Sequence, residues 1–245
     1  ATPIYAAAQE GHTDAISVLA SLGADVNQRN RNGSTPLCIA AYNGHKDIIK
    51  LLLSLDVDVN QPKKDGCTPV YIAAQEGHTD IVSLLAFLDA DLNRANNNGA
   101  TPMCIAAYNG HDSTVSLLAS HGVAVDQVMN DGATPVYIAA QNGYKDTVGL
   151  LLYLGADINQ ARNDGFTPIY VAAQNGHKDT VSLLASHGAD VNQANKNGCT
   201  PTYAAAKKGH TDIVGLLESF GADVNQGNND CLLYTSPSPR DVRSS

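Results

Sequence analysis

The sequence predicts an all-α repeat solenoid: seven stacked units of 33 residues, each a helix-turn-helix followed by a β-turn finger. Three observations carry this. A Thr-Pro pair recurs in register at Thr2, Thr35, Thr68, Thr101, Thr134, Thr167 and Thr200. Nine residues after each threonine stands a glycine, from Gly11 to Gly209. Six of the seven units end in an Asn-Gly or Asp-Gly pair, from Asn32-Gly33 to Asn197-Gly198. The domain expected from this register is residues 1–230, with 231–245 as a separate non-repeat tail.

The third unit shows why each element forms. Thr68 is a plausible N-cap and Pro69 takes the first helical position, where a missing N–H costs nothing. Ile72, Ala73 and Ala74 follow, and Gly77 stops the helix because it accepts positive φ. His78-Thr79-Asp80 opens a second helix, with Asp80 placed in the first turn to suit the helix dipole. Its Ile81, Val82, Leu84, Leu85 and Leu88 recur at helical spacing and are the expected core face. A Gly-Ala-Asp-Val/Ile-Asn stretch then leads to the finger, whose Asn/Asp-Gly tip favours a tight turn. Helices this short are marginal alone, so neighbouring units must supply the missing surface.

Composition fits such a stack. Hydrophobic residues make up 43% but aromatics only 5%, with no tryptophan, so Ala, Leu, Ile and Val must build the core. The formal charge of −9, without a basic run or stripe, argues against nucleic acid or an anionic membrane as partner and suits a soluble protein. Five cysteines are present. Cys38, Cys104, Cys67 and Cys199 fall at two recurring positions, and units stacked about 10 Å apart hold copies two repeats away beyond the ~7 Å reach of a disulfide. Reduced thiols and a cytoplasmic or nuclear setting are expected. No stretch is long and apolar enough to span a membrane.

The pattern Thr-Pro-x-x-x-Ala-Ala-x-x-Gly-His, the Val/Ile-x-Leu-Leu helix and Gly-Ala-Asp-Val-Asn together resemble the ankyrin repeat, over residues 1 to about 230. One departure is systematic. Where the family has the histidine of Thr-Pro-Leu-His, this chain has Tyr5, Cys38, Tyr71, Cys104, Tyr137, Tyr170 and Tyr203. A tyrosine hydroxyl can replace part of that motif's hydrogen bonding, a thiol only weakly. Where the residue is Cys, a tyrosine stands four positions on, at Tyr42 and Tyr108. Two accounts are open: ring and small partner trade places in one packed seam, or the displaced ring is exposed and serves a binding face.

The resemblance implies a protein-binding scaffold whose partner lies on a concave face lined by finger tips and the exposed ends of the first helices. Carried onto this sequence, the candidate contacts on the helices are Tyr42, Asn43, Gln75, Glu76, Tyr108, Asn109, Gln141, Asn142, Gln174, Asn175, Lys207 and Lys208. Those on the fingers are Arg29, Arg31, Lys63, Lys64, Met129 and Arg162. This surface is mostly amide and basic, so the acidity must lie elsewhere, on residues such as Asp58 and Asp190, and a polar or acidic protein segment is the expected partner. Tyr42 and Tyr108 are the expected hot spots. The alternative is a structural segment that self-associates end to end, which the near-identity of the helix-face pairs favours.

No enzyme and no cofactor are expected. The recurring His12, His45, His78, His111, His177 and His210 each sit in their own layer and cannot converge on one metal. Their expected role is structural, with the ring packed at the start of the second helix. Asp56 and Asp89 replace the glycine that ends the second helix. If they must adopt the left-handed conformation, each costs around 1 kcal/mol. The chain begins at Ala1 inside a repeat, which suggests truncation at that end, and Cys231 breaks the register, so the tail is expected to be disordered or non-native.

Overall fold

The structure, a computed structural model, describes residues 2–227. Among these there are fourteen α-helices and no strand. They fall into two compact units, Ala1–Asn130 and Asp131–Ser245. The first contains α1 (Pro3–Glu10), α2 (Thr13–Ser21), α3 (Pro36–Asn43), α4 (Lys46–Ser54), α5 (Pro69–Gln75), α6 (Thr79–Phe87), α7 (Pro102–Tyr108) and α8 (Asp112–Ser120). The second contains α9 (Pro135–Asn142), α10 (Lys145–Tyr153), α11 (Pro168–Asn175), α12 (Lys178–Ser186), α13 (Pro201–Lys208) and α14 (Thr211–Ser219). The tail with Cys231 lies outside the described residues.

Each odd-numbered helix begins in the way its sequence dictates. The hydroxyl of the preceding threonine accepts from the backbone N–H three residues on, as in Thr68 to Tyr71 at 3.3 Å, and proline fills the first turn. Each even-numbered helix carries an aspartate in its first turn, Asp80 in α6 among them.

Within the first unit α1, α3, α5 and α7 pack in succession, and each also packs on the helix that follows it. The second unit repeats this with α9, α11 and α13. Alanine pairs make the close approach possible: Ala40-Ala41, Ala73-Ala74 and Ala106-Ala107 are fully buried in one unit, Ala139-Ala140 and Ala172-Ala173 in the other. Ile81, Val82 and Leu85 are buried as expected, but Leu88 is not part of the core. It follows the end of α6 as its C-cap, where the helical backbone has stopped, and is exposed.

The turn segments are tied by hydrogen bonds. Asn96 N donates to Ala100 O at 2.9 Å while Asn96 Oδ1 accepts from Asn98 N and Ala100 N. Neighbouring turns meet through one backbone bond per junction, such as Lys64 N to Asn32 O and Asn97 N to Asp65 O, too sparse a ladder for a sheet. Asp56 and Asp89 do take the left-handed conformation, at φ 58° and 60°.

Candidate functional site

The ends of the odd-numbered helices are organised around shared carbonyl oxygens. Gln75 O accepts from Asn109 Nδ2 at 3.1 Å and lies 3.0 Å from His111 Nε2. Gln9 O takes Asn43 and His45 in the same way, and Gln141 O takes Asn175 and His177. His45, His78, His111, His177 and His210 thus sit at the start of their helices as expected and bridge to the preceding odd-numbered helix as well, whereas His12, in the first repeat, is exposed. Asn43, Asn109 and Asn175, candidates for partner contact by sequence, have their amides engaged in holding neighbouring helices together. Asn142 Nδ2 bonds back to Ile138 O in its own helix.

The rings separate into two environments. Tyr71 is 4% exposed and its hydroxyl accepts from Asn96 Nδ2 at 3.2 Å. Burial raises its phenol well above the usual range. Tyr5, Tyr137 and Tyr170 are buried at the same register. Tyr42 and Tyr108, one helical turn further on, are 49% and 52% exposed. The two sets of rings therefore do not fill one seam, and the packing account fails for Tyr42 and Tyr108. The cysteines left behind are buried free thiols that make long bonds to carbonyls, Cys38 Sγ to Gln61 O at 3.9 Å and Cys104 Sγ to Gln127 O at 3.6 Å.

The basic candidates divide as well. Lys63 pairs with Asp65 at 2.9 Å. Arg162 pairs with Asp164 and holds its guanidinium 5.5 Å from the ring centroids of both Tyr137 and Phe166. The Arg162 hydrogen bond pulls the Asp164 carboxyl below its ordinary range. Arg29 donates to the Gln61 amide at 3.0 Å once that amide is oriented to accept. Arg31, Lys64, Lys207 and Lys208 are exposed, with no ion pair among the described residues. Gln75, Glu76, Met129 and Gln174 are half-buried and Gln141 is exposed.

Two recesses lie beside these groups. One, of about 270 Å³, is in the first unit and is lined by Tyr5, Cys38, Ile39, Tyr42, Lys63 and Ile72 among others. The other, of about 260 Å³, is in the second unit between Phe166, Tyr170, Tyr203, Lys207 and Lys208. There Phe166 stacks on Tyr170 with centroids 4.6 Å apart. Sequence reasoning missed Phe166. Its signal was available: it is the bulky residue at a position held elsewhere by Ser34, Cys67, Ala100, Ala133 and Cys199. Among the described residues no cluster of His, Cys, Asp and Glu could hold a metal ion, and no helix is long and apolar enough to cross a membrane.

No curated protein matches the chain. A family model described as ankyrin repeats matches in three copies, over residues 4–96, 86–162 and 154–228. These matches span most of the sequence, and the capped helix pairs they cover are those of the structure: the chain belongs to the ankyrin-repeat family.

Proposed function

We propose that this chain is a protein-binding scaffold that recognises a polar or acidic protein segment across its turn tips and the C-terminal ends of the odd-numbered helices. Proteins built of ankyrin repeats generally mediate protein–protein interaction. We read residues 1–230 as seven repeats with β-turn fingers, this surface as the concave face, and the setting as cytoplasmic or nuclear, without catalysis or cofactor.

The observation that carries the reading is the exposure of Tyr42 and Tyr108. An aromatic side chain held at a helix end and half open to solvent supplies contact area at small entropic cost. Exposed Arg31, Lys64, Lys207 and Lys208 favour a partner of opposite charge.

Selection of a displayed random-peptide library on the full chain tests this. Acidic or polar peptides are expected, with binding weakened at least ~10-fold by combined Tyr42→Ala and Tyr108→Ala and unchanged by Phe87→Ala on an even-numbered helix. Absence of any binder, or equal binding by the double variant, would overturn it. The near-identical helix-face pairs favour end-to-end self-association as a second reading, for which light scattering would show a mass that rises with concentration.

A further inference from the structure

We propose that the recess between Phe166 and Tyr203 in the second unit receives the side-chain carboxylate of a glutamate or aspartate from the bound partner. The inference rests on the protein-binding reading above and adds the chemistry of one anchor.

A donor without a partner lies in this recess. Asn195 is 7% exposed and is part of the lining. Its Oδ1 accepts from the backbone N–H groups of Asn197 at 2.9 Å and Cys199 at 3.0 Å, which fixes the orientation of the amide and leaves Nδ2 as the free end. Asn96, the counterpart in the first unit, is held by the same two turn bonds and gives its Nδ2 to the Tyr71 hydroxyl at 3.2 Å. Asn195 makes no such bond to Tyr170 or to another group among the described residues, and here Phe166 stacks on the Tyr170 ring. Nor is Nδ2 sealed in the core, so its acceptor must come from the recess.

Charge decides which acceptor. None of the lining residues is acidic, while Lys207 and Lys208 stand at the recess exposed and without an ion pair among the described residues. Lys207 Nζ lies 5.9 Å from the Tyr203 ring centroid. The recess of the first unit differs in this respect. Its Lys63 is balanced by Asp65 at 2.9 Å, and in the second unit Asn197 stands at the register of Asp65. An amide donor beside uncompensated ammonium groups selects an anionic acceptor, and a carboxylate can take both bonds. Phe166, Tyr203 and Ala204 offer apolar cover to the methylene stem. At about 260 Å³ the recess is smaller than the ~300–1,000 Å³ of small-molecule pockets and suits a single side chain.

The test titrates N-acetyl-glutamate α-amide, whose one charge is its side-chain carboxylate, into the labelled full chain and follows amide resonances. Saturable shifts centred on Asn195, its Nδ2 protons included, are expected, with a Kd on the order of 1–10 mM. N-acetyl-glutamine amide, the neutral isostere, should bind at least ~10-fold more weakly. N-acetyl-alanine carries a main-chain carboxylate without the stem, and equal or tighter binding by it would overturn the side-chain assignment. Asn195→Asp keeps the Oδ1 that holds the turn, removes the donor and should weaken binding at least ~10-fold. Asn197→Asp adds the same charge at the mouth but keeps the donor, and should cost less. No saturable shift, or equal loss in the two aspartate variants, overturns the proposal. If Asn195→Asp fails to fold, combined Lys207→Gln and Lys208→Gln on the surface should remove the preference for glutamate over glutamine, and an undiminished preference overturns it. Peptides from the selection should carry a Glu or Asp whose change to the amide weakens binding to the wild type but not to Asn195→Asp. Equal loss in both backgrounds would sink the anchor and leave the scaffold reading standing, whereas absence of any peptide sinks the scaffold reading while the glutamate amide still judges the recess.

Discussion

His111 Nε2 lies 3.0 Å from Gln75 O, and the ring that makes this contact packs over Gly77. A Cβ placed on Gly77 would come within 2.7 Å of His111 Nδ1. Gly77 therefore has two duties, left-handed backbone at φ 73° and room for the next repeat's imidazole.

Gly122 separates those duties, because it has φ 76° and nothing within 4 Å of an added Cβ. Both Gly→Ala changes should cost about 1 kcal/mol for backbone strain. Gly77→Ala should cost at least ~1 kcal/mol more, since the imidazole must move and its hydrogen bond weaken. Urea denaturation of the two variants measures the difference.

Asp56 and Asp89 carry strain that a glycine would relieve, and both side chains are exposed. Asp89→Gly should raise stability by roughly 0.5–1 kcal/mol, with part of the relief offset by the greater entropy of the unfolded chain. Denaturant midpoints with an unchanged m-value would show it.

Tyrosines four residues apart in register should respond in opposite ways. Tyr71→Ala empties a buried site and should cost about 3–5 kcal/mol. Tyr42→Ala should change stability by no more than about 0.5 kcal/mol. Thermal denaturation gives both values.

The Arg162–Asp164 pair gives an acid-side prediction. Asp164 has a lowered pKa when folded, so its contribution is present above the unfolded value near 3.8 and is lost as pH falls through the lower folded one. Its side chain is 41% exposed, which limits the contribution to less than about 1 kcal/mol. The stabilities of wild type and Asp164→Asn should differ at pH 6 and converge at pH 2–3, by urea titration at each pH.

Alkaline pH acts through the buried phenols. Burial pushes Tyr137 and Tyr170 up to about 12 from an ordinary value of 10.0. The unfolded chain releases those protons first, so stability should hold below pH 10 and fall between about 10 and 12. Tyr137→Phe should flatten that fall, as read from stability measured across the alkaline range.

Much of the fold is local and was legible for that reason. Thr68 caps its helix with its own hydroxyl, Pro69 fixes φ, and Gly77 is needed wherever the chain turns left-handed. Each requirement is met within a few residues of sequence. Leu88 shows the limit, because periodicity marks a stripe but not the residue at which the helix ends.

The candidate site was less legible. Tyr42 and Asn43 stand side by side at one helix end and read alike as exposed groups, yet Tyr42 faces solvent while Asn43 ties its helix to Gln9. The difference depends on an oxygen 34 residues away.

The sequence by itself determined the helix pairs, their caps and the family, because backbone propensity and a 33-residue period are properties of the chain. Only the tertiary structure decided which side chains are committed to the stack and which are left over. That assignment depends on contacts between neighbouring repeats, such as Asn43 Nδ2 to Gln9 O, which no local stretch of sequence contains.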